Sequence, residues 1–226
     1  MFDFIIKSGL VWCLAIMALA HQSISFSQAK RHLLQIYQDH PTTFYCNCNY
    51  SLKDSKPAPN WNSCGFTPRK QAKRAARIEW EHVMPAYQFG NQMPCWKEGG
   101  RKACHKDEAF RMMEGDMHNL VPTIGEVNGD RSNYQYALIE GEDRVYGACD
   151  AEVNFQFKQF EPTPNVRGNI AKIYFYMADQ YSVELDASQR IMFEQWALED
   201  PVDDWEIELN YRIAAIQGNL NPYVRE

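Results

Sequence analysis

Arg77-Ile78-Glu79-Trp80-Glu81-His82-Val83-Met84-Pro85-Ala86 is the stretch on which this chain turns. Apolar, β-favouring side chains alternate with carboxylates, which predicts a strand over 78–83 ended by Met84-Pro85, since proline has no amide to continue a ladder. The strand's end sets Glu81 beside His82. A carboxylate can hold a hard cation, and an imidazole titrating near neutrality can take a proton from water. A zinc-protease helix is excluded, because it needs His-Glu-x-x-His and Ala86 stands four residues after His82. Taken alone, a Glu-His pair is more often a structural ion pair than a catalytic centre, and Glu79 reads as structural. Neighbours on a regular strand also point to opposite faces. For Glu81 and His82 to serve one site, the strand end near Pro85 has to supply a twist.

Working outward, His118-Asn119-Leu120-Val121-Pro122 reads as an extended piece that passes into a short helix near 126–133, through Glu126-Val127-Asn128-Gly129-Asp130-Arg131. These segments, with Gly99-Gly100-Arg101-Lys102-x-Cys104, Gly115-Asp116-x-His118 and Arg167-Gly168-x-Ile170-Ala171, resemble the endonuclease I family of periplasmic and secreted bacterial deoxyribonucleases. The resemblance runs from about Tyr37 to Tyr223. It implies an α+β fold: a single mixed domain with a ββα-metal finger, short strands and several packed helices, stabilised by disulfides.

The same resemblance implies His82 as general base, Glu81 and Asn128 as ligands of one divalent cation, and Arg101 as the arginine that stabilises the phosphoryl group. The products would carry 5′-phosphates. The broader His-Asn-His nucleases run His-x-x-Pro, then Asn-Leu, then a ligand on the following helix. That order is similar to His82–Pro85, Asn119-Leu120 and Asn128, and it favours Asn128 over Asn133 as the ligand. Asn119 would orient the finger through hydrogen bonds; His118 would support it or fill a polar core position. Asparagine at 128, where many of those nucleases carry histidine, makes the site harder. It favours Mg2+, with Mn2+ or Ca2+ as alternatives, over zinc. Glu114 and Asp116 read as surface residues.

The formal charge of −6 argues against holding nucleic acid by global positive potential. The distribution is uneven, however. Arg69, Lys70, Lys73, Arg74 and Arg77 form one basic run and Lys97, Arg101, Lys102 and Lys106 another, while acidic residues gather at 199–208. From charge alone a solvated face is the commoner outcome. Beside the resemblance, Arg69, Lys73, Arg77, Lys102, Arg131 and Arg167 become candidate contacts to the backbone phosphates of DNA. Such contacts position a protein without identifying bases. RNA as substrate, and a disulfide-stabilised binding protein without catalysis, are the alternatives.

Residues 1–20 have the order of a secretory signal: Lys7, an apolar run from Gly9 to Ala20, and Ala18-Leu19-Ala20 as cleavage site. Residues 21–226 then form one nuclease domain, periplasmic or secreted, with no membrane span and no heptad seam to demand more than a monomer. With Cys13 assigned to the apolar run, Cys46, Cys48, Cys64, Cys95, Cys104 and Cys149 are an even set suited to three bridges in an oxidising compartment. Cys95 and Cys104 flank a short segment, 96–103, read as a loop, and are the preferred pair. A zinc site at Cys46, Cys48 and Cys64 is the disfavoured rival. Helices are predicted at 29–37 behind a Ser27 cap, over 68–77 after Pro68, around Ile170–Tyr181, at 188–198 and after Pro201.

Overall fold

The computed structural model describes residues 23–141 and 143–225. The predicted leader, 1–20, and Cys13 lie outside them. The first helix, α1 (Phe26–Ile36), is capped by Ser25, two residues ahead of the predicted cap. Ser25 and Gln28 close a reciprocal capping box there, and Ala29, Leu33 and Ile36 form the buried stripe. The polar stretch that follows contains a hairpin, β1 (Tyr50–Lys53) and β2 (Lys56–Pro59), joined through Asp54 and Ser55, both at positive φ. That backbone twist suits a two-residue hairpin turn.

The predicted helix over 68–77 shrinks to one turn, α2 (Ala72–Ala75). The cause lies elsewhere in the chain: the buried Glu126 carboxylate accepts hydrogen bonds from the backbone amides of Arg69, Lys70 and Gln71, which holds those residues around an anion instead of in a helix. The strand β3 (Ile78–His82) forms as predicted, and α3 (Ala86–Gly90) starts directly after Pro85. The segment 96–103 is not a loop. It belongs to α4 (Pro94–Cys104), kinked at Gly99-Gly100, where Gly100 adopts φ +61, a conformation open to glycine. Next comes α5 (Glu108–Gly115), capped by Asp107, which the sequence reading did not separate out.

A 3-10 turn at Met117–Asn119 leads into β4 (Leu120–Ile124) and α6 (Gly125–Arg131). β4 pairs antiparallel with β3, with His82 opposite Leu120 and Ile78 opposite Ile124. The ββα unit is therefore β3, β4 and α6. A small sheet in the order β5 (Gln135–Tyr136), β7 (Gln159–Glu161), β6 (Glu152–Asn154) follows. The chain closes with α7 (Arg167–Tyr181), α8 (Ala187–Glu199) and α9 (Asp204–Gln217).

Two apolar clusters clamp the ββα unit. The larger joins Val83, Met84, Val127, Tyr136, Phe160, Tyr174, Phe193 and Trp196; the smaller joins Leu33 and Tyr37 of α1 to Ile78, Leu120 and Ile213. Three disulfides, Cys46–Cys149, Cys48–Cys64 and Cys95–Cys104, use all six cysteines, which removes the zinc alternative and confirms the preferred pair. The architecture is the expected disulfide-stapled α+β domain. No helix among the described residues is long and apolar enough to cross a membrane.

Candidate active site

Strand alternation decides where the motif's side chains go. Ile78, Trp80 and His82 face α1: Ile78 joins the smaller cluster, the Trp80 ring lies 5.6 Å from Tyr37, and the His82 ring lies 4.8 Å from Phe26. Glu79 and Glu81 face the basic side, Glu79 at 2.7 Å from both Arg74 and Arg77, and Glu81 at 3.1 Å from Arg131. Among the described residues β3 pairs only with β4. A cleft of about 430 Å³ follows the other edge of β3 and is lined by every residue from Ile78 to His82, with Arg101 from α4 and Asn128 from α6. Side chains from both faces of β3, Glu81 and His82 among them, thus line one cleft.

His82 is buried, and its Nε2 lies 2.8 Å from the backbone carbonyl of Glu114. A carbonyl only accepts, so Nε2 carries the proton and Nδ1 the lone pair. Burial, reinforced by the positive charge of Arg101, pushes the imidazole down to about 4, which keeps it neutral around pH 7. Burial pushes the Glu81 carboxyl the other way, up to about 7, against the pull of Arg131. Asn119 holds the turn after the strand: its Oδ1 accepts from the Met84 amide at 2.7 Å and its Nδ2 donates to the Met84 carbonyl at 3.0 Å. The Glu114 side chain accepts from Arg101 Nε at 2.7 Å, leaving the two terminal guanidinium nitrogens outside that bond.

Residues 14–226 match the family model for endonuclease I. The chain belongs to the endonuclease I family. It is 51% identical over 208 residues to a periplasmic deoxyribonuclease of Aeromonas hydrophila, covering 92% of this chain and 88% of that protein. An extracellular deoxyribonuclease of the same organism is 49% identical over 219 residues, 95% of each chain. Endonuclease-1 of Buchnera aphidicola subsp. Acyrthosiphon pisum (strain APS) is 46% identical over 200 residues, 88% of this chain and 80% of that one.

In this endonuclease I chain several sequence-predicted residues stand elsewhere than expected. Arg131 lines the cleft but is fully buried, bonded to Glu81 and to the carbonyls of His82 (3.2 Å) and Val83 (2.6 Å). Arg69 is engaged with Asp130 and Arg167 with Glu161; neither lines the cleft, and neither do Lys73 or Lys102. Arg77 does line it and stays 60% exposed. His118 lies in a separate cavity, bonded to the Asn219 carbonyl and edge-on to Tyr176, which is the polar-core option. Glu114 and Asp116 are buried, not superficial: Asp116 accepts from the hydroxyls of Tyr176 and Tyr181, partners that lie far along the chain. Arg74, Phe26 and Lys30 also line the cleft. Charge alone does not distinguish Arg74 from its neighbours in the basic run, and no sequence signal ties α1 to the motif.

Glu81 and Asn128 offer oxygen donors to the same space, the chemistry of a hard cation that keeps much of its water. Among the described residues the Asn128 carboxamide makes no hydrogen bond, and burial raises the Glu81 carboxyl even with Arg131 beside it, so further positive charge in the cleft would favour its ionised form. Both features fit the divalent ion that the family uses.

Proposed function

We propose that this chain is a periplasmic or secreted, metal-dependent endonuclease that hydrolyses DNA with little sequence preference, working as a monomer. The observation that carries the reading is the His82 imidazole, neutral and proton-free at Nδ1, in one cleft with Glu81, Asn128 and Arg101. The deoxyribonuclease names of relatives near half identity support DNA as substrate, and their periplasmic and extracellular names support the location.

In this reading His82 Nδ1 takes the proton of the attacking water as general base, while the Glu114 carbonyl fixes the ring by its far nitrogen. Arg101, aligned by Glu114, grips phosphoryl oxygens through its terminal nitrogens as their charge grows. Glu81 and Asn128 would hold the cation, with Mg2+ the first candidate. When bound, that ion supplies Lewis-acid stabilisation of the phosphoryl charge and leaving 3′ oxygen. Arg74 and Arg77 add positive charge along the strand edge. The reaction leaves 5′-phosphates.

The test incubates the mature protein with supercoiled plasmid, and separately with RNA, in Mg2+, Mn2+, Ca2+ or chelator, beside Glu81→Ala and His82→Ala. Nicking by the parent, abolished by chelation and by either substitution, is the expected result. Variants as active as the parent would overturn the site, and cleavage of RNA alone would overturn the substrate.

A further inference from the structure

A single hydrogen bond fixes a point on an imidazole but not the plane of its ring. Among the described residues the His82 ring is held by one such bond, to the Glu114 carbonyl, and by aromatic contacts: Phe26 at 4.8 Å and 41°, and Phe89 at 6.1 Å and 57°. Phe26 is the nearer of these two rings and the one that lines the cleft. The same ring lies under two cations of that cleft, with Lys30 Nζ 4.6 Å and Arg101 Cζ 5.7 Å from its centroid. A flat aromatic face attracts a guanidinium and restricts where it can swing. Phe26 therefore touches both the histidine and the arginine.

Its own position is fixed by backbone. The Ser25–Gln28 capping box starts α1 at Phe26, and the preceding Ile24 carbonyl passes so close to Gly115 that a Cβ there would sit 1.8 Å from it. Gly115 follows directly on Glu114, so one dipeptide both bonds His82 and seats the helix that carries Phe26.

We infer that Phe26 is a positioning residue of the active site, setting the plane of the His82 ring and the approach of Arg101 from a helix outside the ββα unit. The inference rests on the nuclease reading above for its kinetic consequence, but its geometric consequence can be read without turnover.

The experiment compares Phe26→Leu, Phe26→Ala and Phe26→Tyr with the parent by plasmid nicking in Mg2+, by thermal unfolding, and by NMR of the metal-free protein, with the His82 ring signal assigned by its loss in His82→Gln. Phe26→Leu and Phe26→Ala should lower kcat by on the order of tenfold to a hundredfold, as small misplacements of reacting groups do. KM should change about threefold or less, because Arg74 and Arg77 still attract phosphate. Phe26→Tyr should retain the parent's kcat, and Phe26→Leu, close in volume, should keep its Tm. The His82 signal should broaden or split in the leucine and alanine variants and stay single in the tyrosine variant. An undisturbed His82 signal in Phe26→Leu, or a kcat equal to the parent's, overturns the inference while leaving the nuclease reading intact. A parent that cuts nothing, together with the predicted ring signals, overturns the nuclease reading and leaves the positioning role standing.

Discussion

His82 is bound by Glu114 through main chain, not side chain: the imidazole Nε2 donates to the Glu114 carbonyl at 2.8 Å, while the Glu114 carboxylate accepts from Arg101 Nε at 2.7 Å and from His105 Nε2 at 3.1 Å. One residue thus holds two members of the site by two different groups, and substitution separates them.

Glu114→Gln keeps the carbonyl and removes only the negative charge under Arg101. The expected outcome is a fall of several-fold in kcat/KM with residual nicking, against complete loss in His82→Ala. A Glu114→Gln protein as inactive as His82→Ala would show that the side chain, not the carbonyl, governs the histidine. Plasmid nicking measured at one salt concentration decides between them.

Arg131 and Arg101 should fail in opposite ways. Arg131→Met leaves Glu81 buried without its counter-charge, and breaking such a pair costs about 3–5 kcal/mol, readable as a lower midpoint in urea. Arg101 is 43% exposed, so Arg101→Ala should leave the midpoint nearly unchanged and lower kcat by on the order of a hundredfold or more, as loss of a transition-state donor does. A stable Arg131→Met with raised KM would restore Arg131 as a phosphate contact.

Magnesium should stabilise the protein more at pH 8 than at pH 6. The Glu81 carboxyl is raised from its ordinary 4.5 to about 7, so between those values the folded state keeps a proton that the unfolded chain has lost. The group favours the fold most below pH 4.5, and that contribution is lost as pH rises through 7. A cation that needs the carboxylate must displace the same proton below pH 7. His82, lowered from 6.5 to about 4, has the opposite sign: its burial costs stability as pH falls from 6.5 through 4, with or without metal. The difference in Tm with and without Mg2+ isolates the Glu81 effect, and equal differences at the two pH values would contradict it.

The disulfides should separate stability from activity. Cys46–Cys149 closes a separation of 103 residues, for which chain entropy gives about 4–5 kcal/mol, and Cys95–Cys104 closes nine, worth about 2–3 kcal/mol. Arg101 lies inside the smaller loop. Replacing Cys95 and Cys104 by serine should therefore cost less stability but more kcat than replacing Cys46 and Cys149. The paired measurements of Tm and nicking rate check the ordering.

The sequence alone was enough to place β3 and its Pro85 stop, the late helices and the even cysteine set, because each is a local pattern: alternation, a missing amide, a 3.6-residue stripe, a count. Tertiary structure decided what local pattern does not encode. Glu126, distant in sequence, collects the amides of residues 69–71 and shortens a predicted helix; Arg131 turns inward because Glu81 is buried above it; Glu114 and Asp116 look like surface acids until α4, α5 and α7 bring Arg101, Tyr176 and Tyr181 to them. Phe26 enters the site only because α1 packs across the finger. A charged side chain's environment is set by which elements close over it, and neither that nor the resulting shift of a proton can be read from its neighbours in the chain.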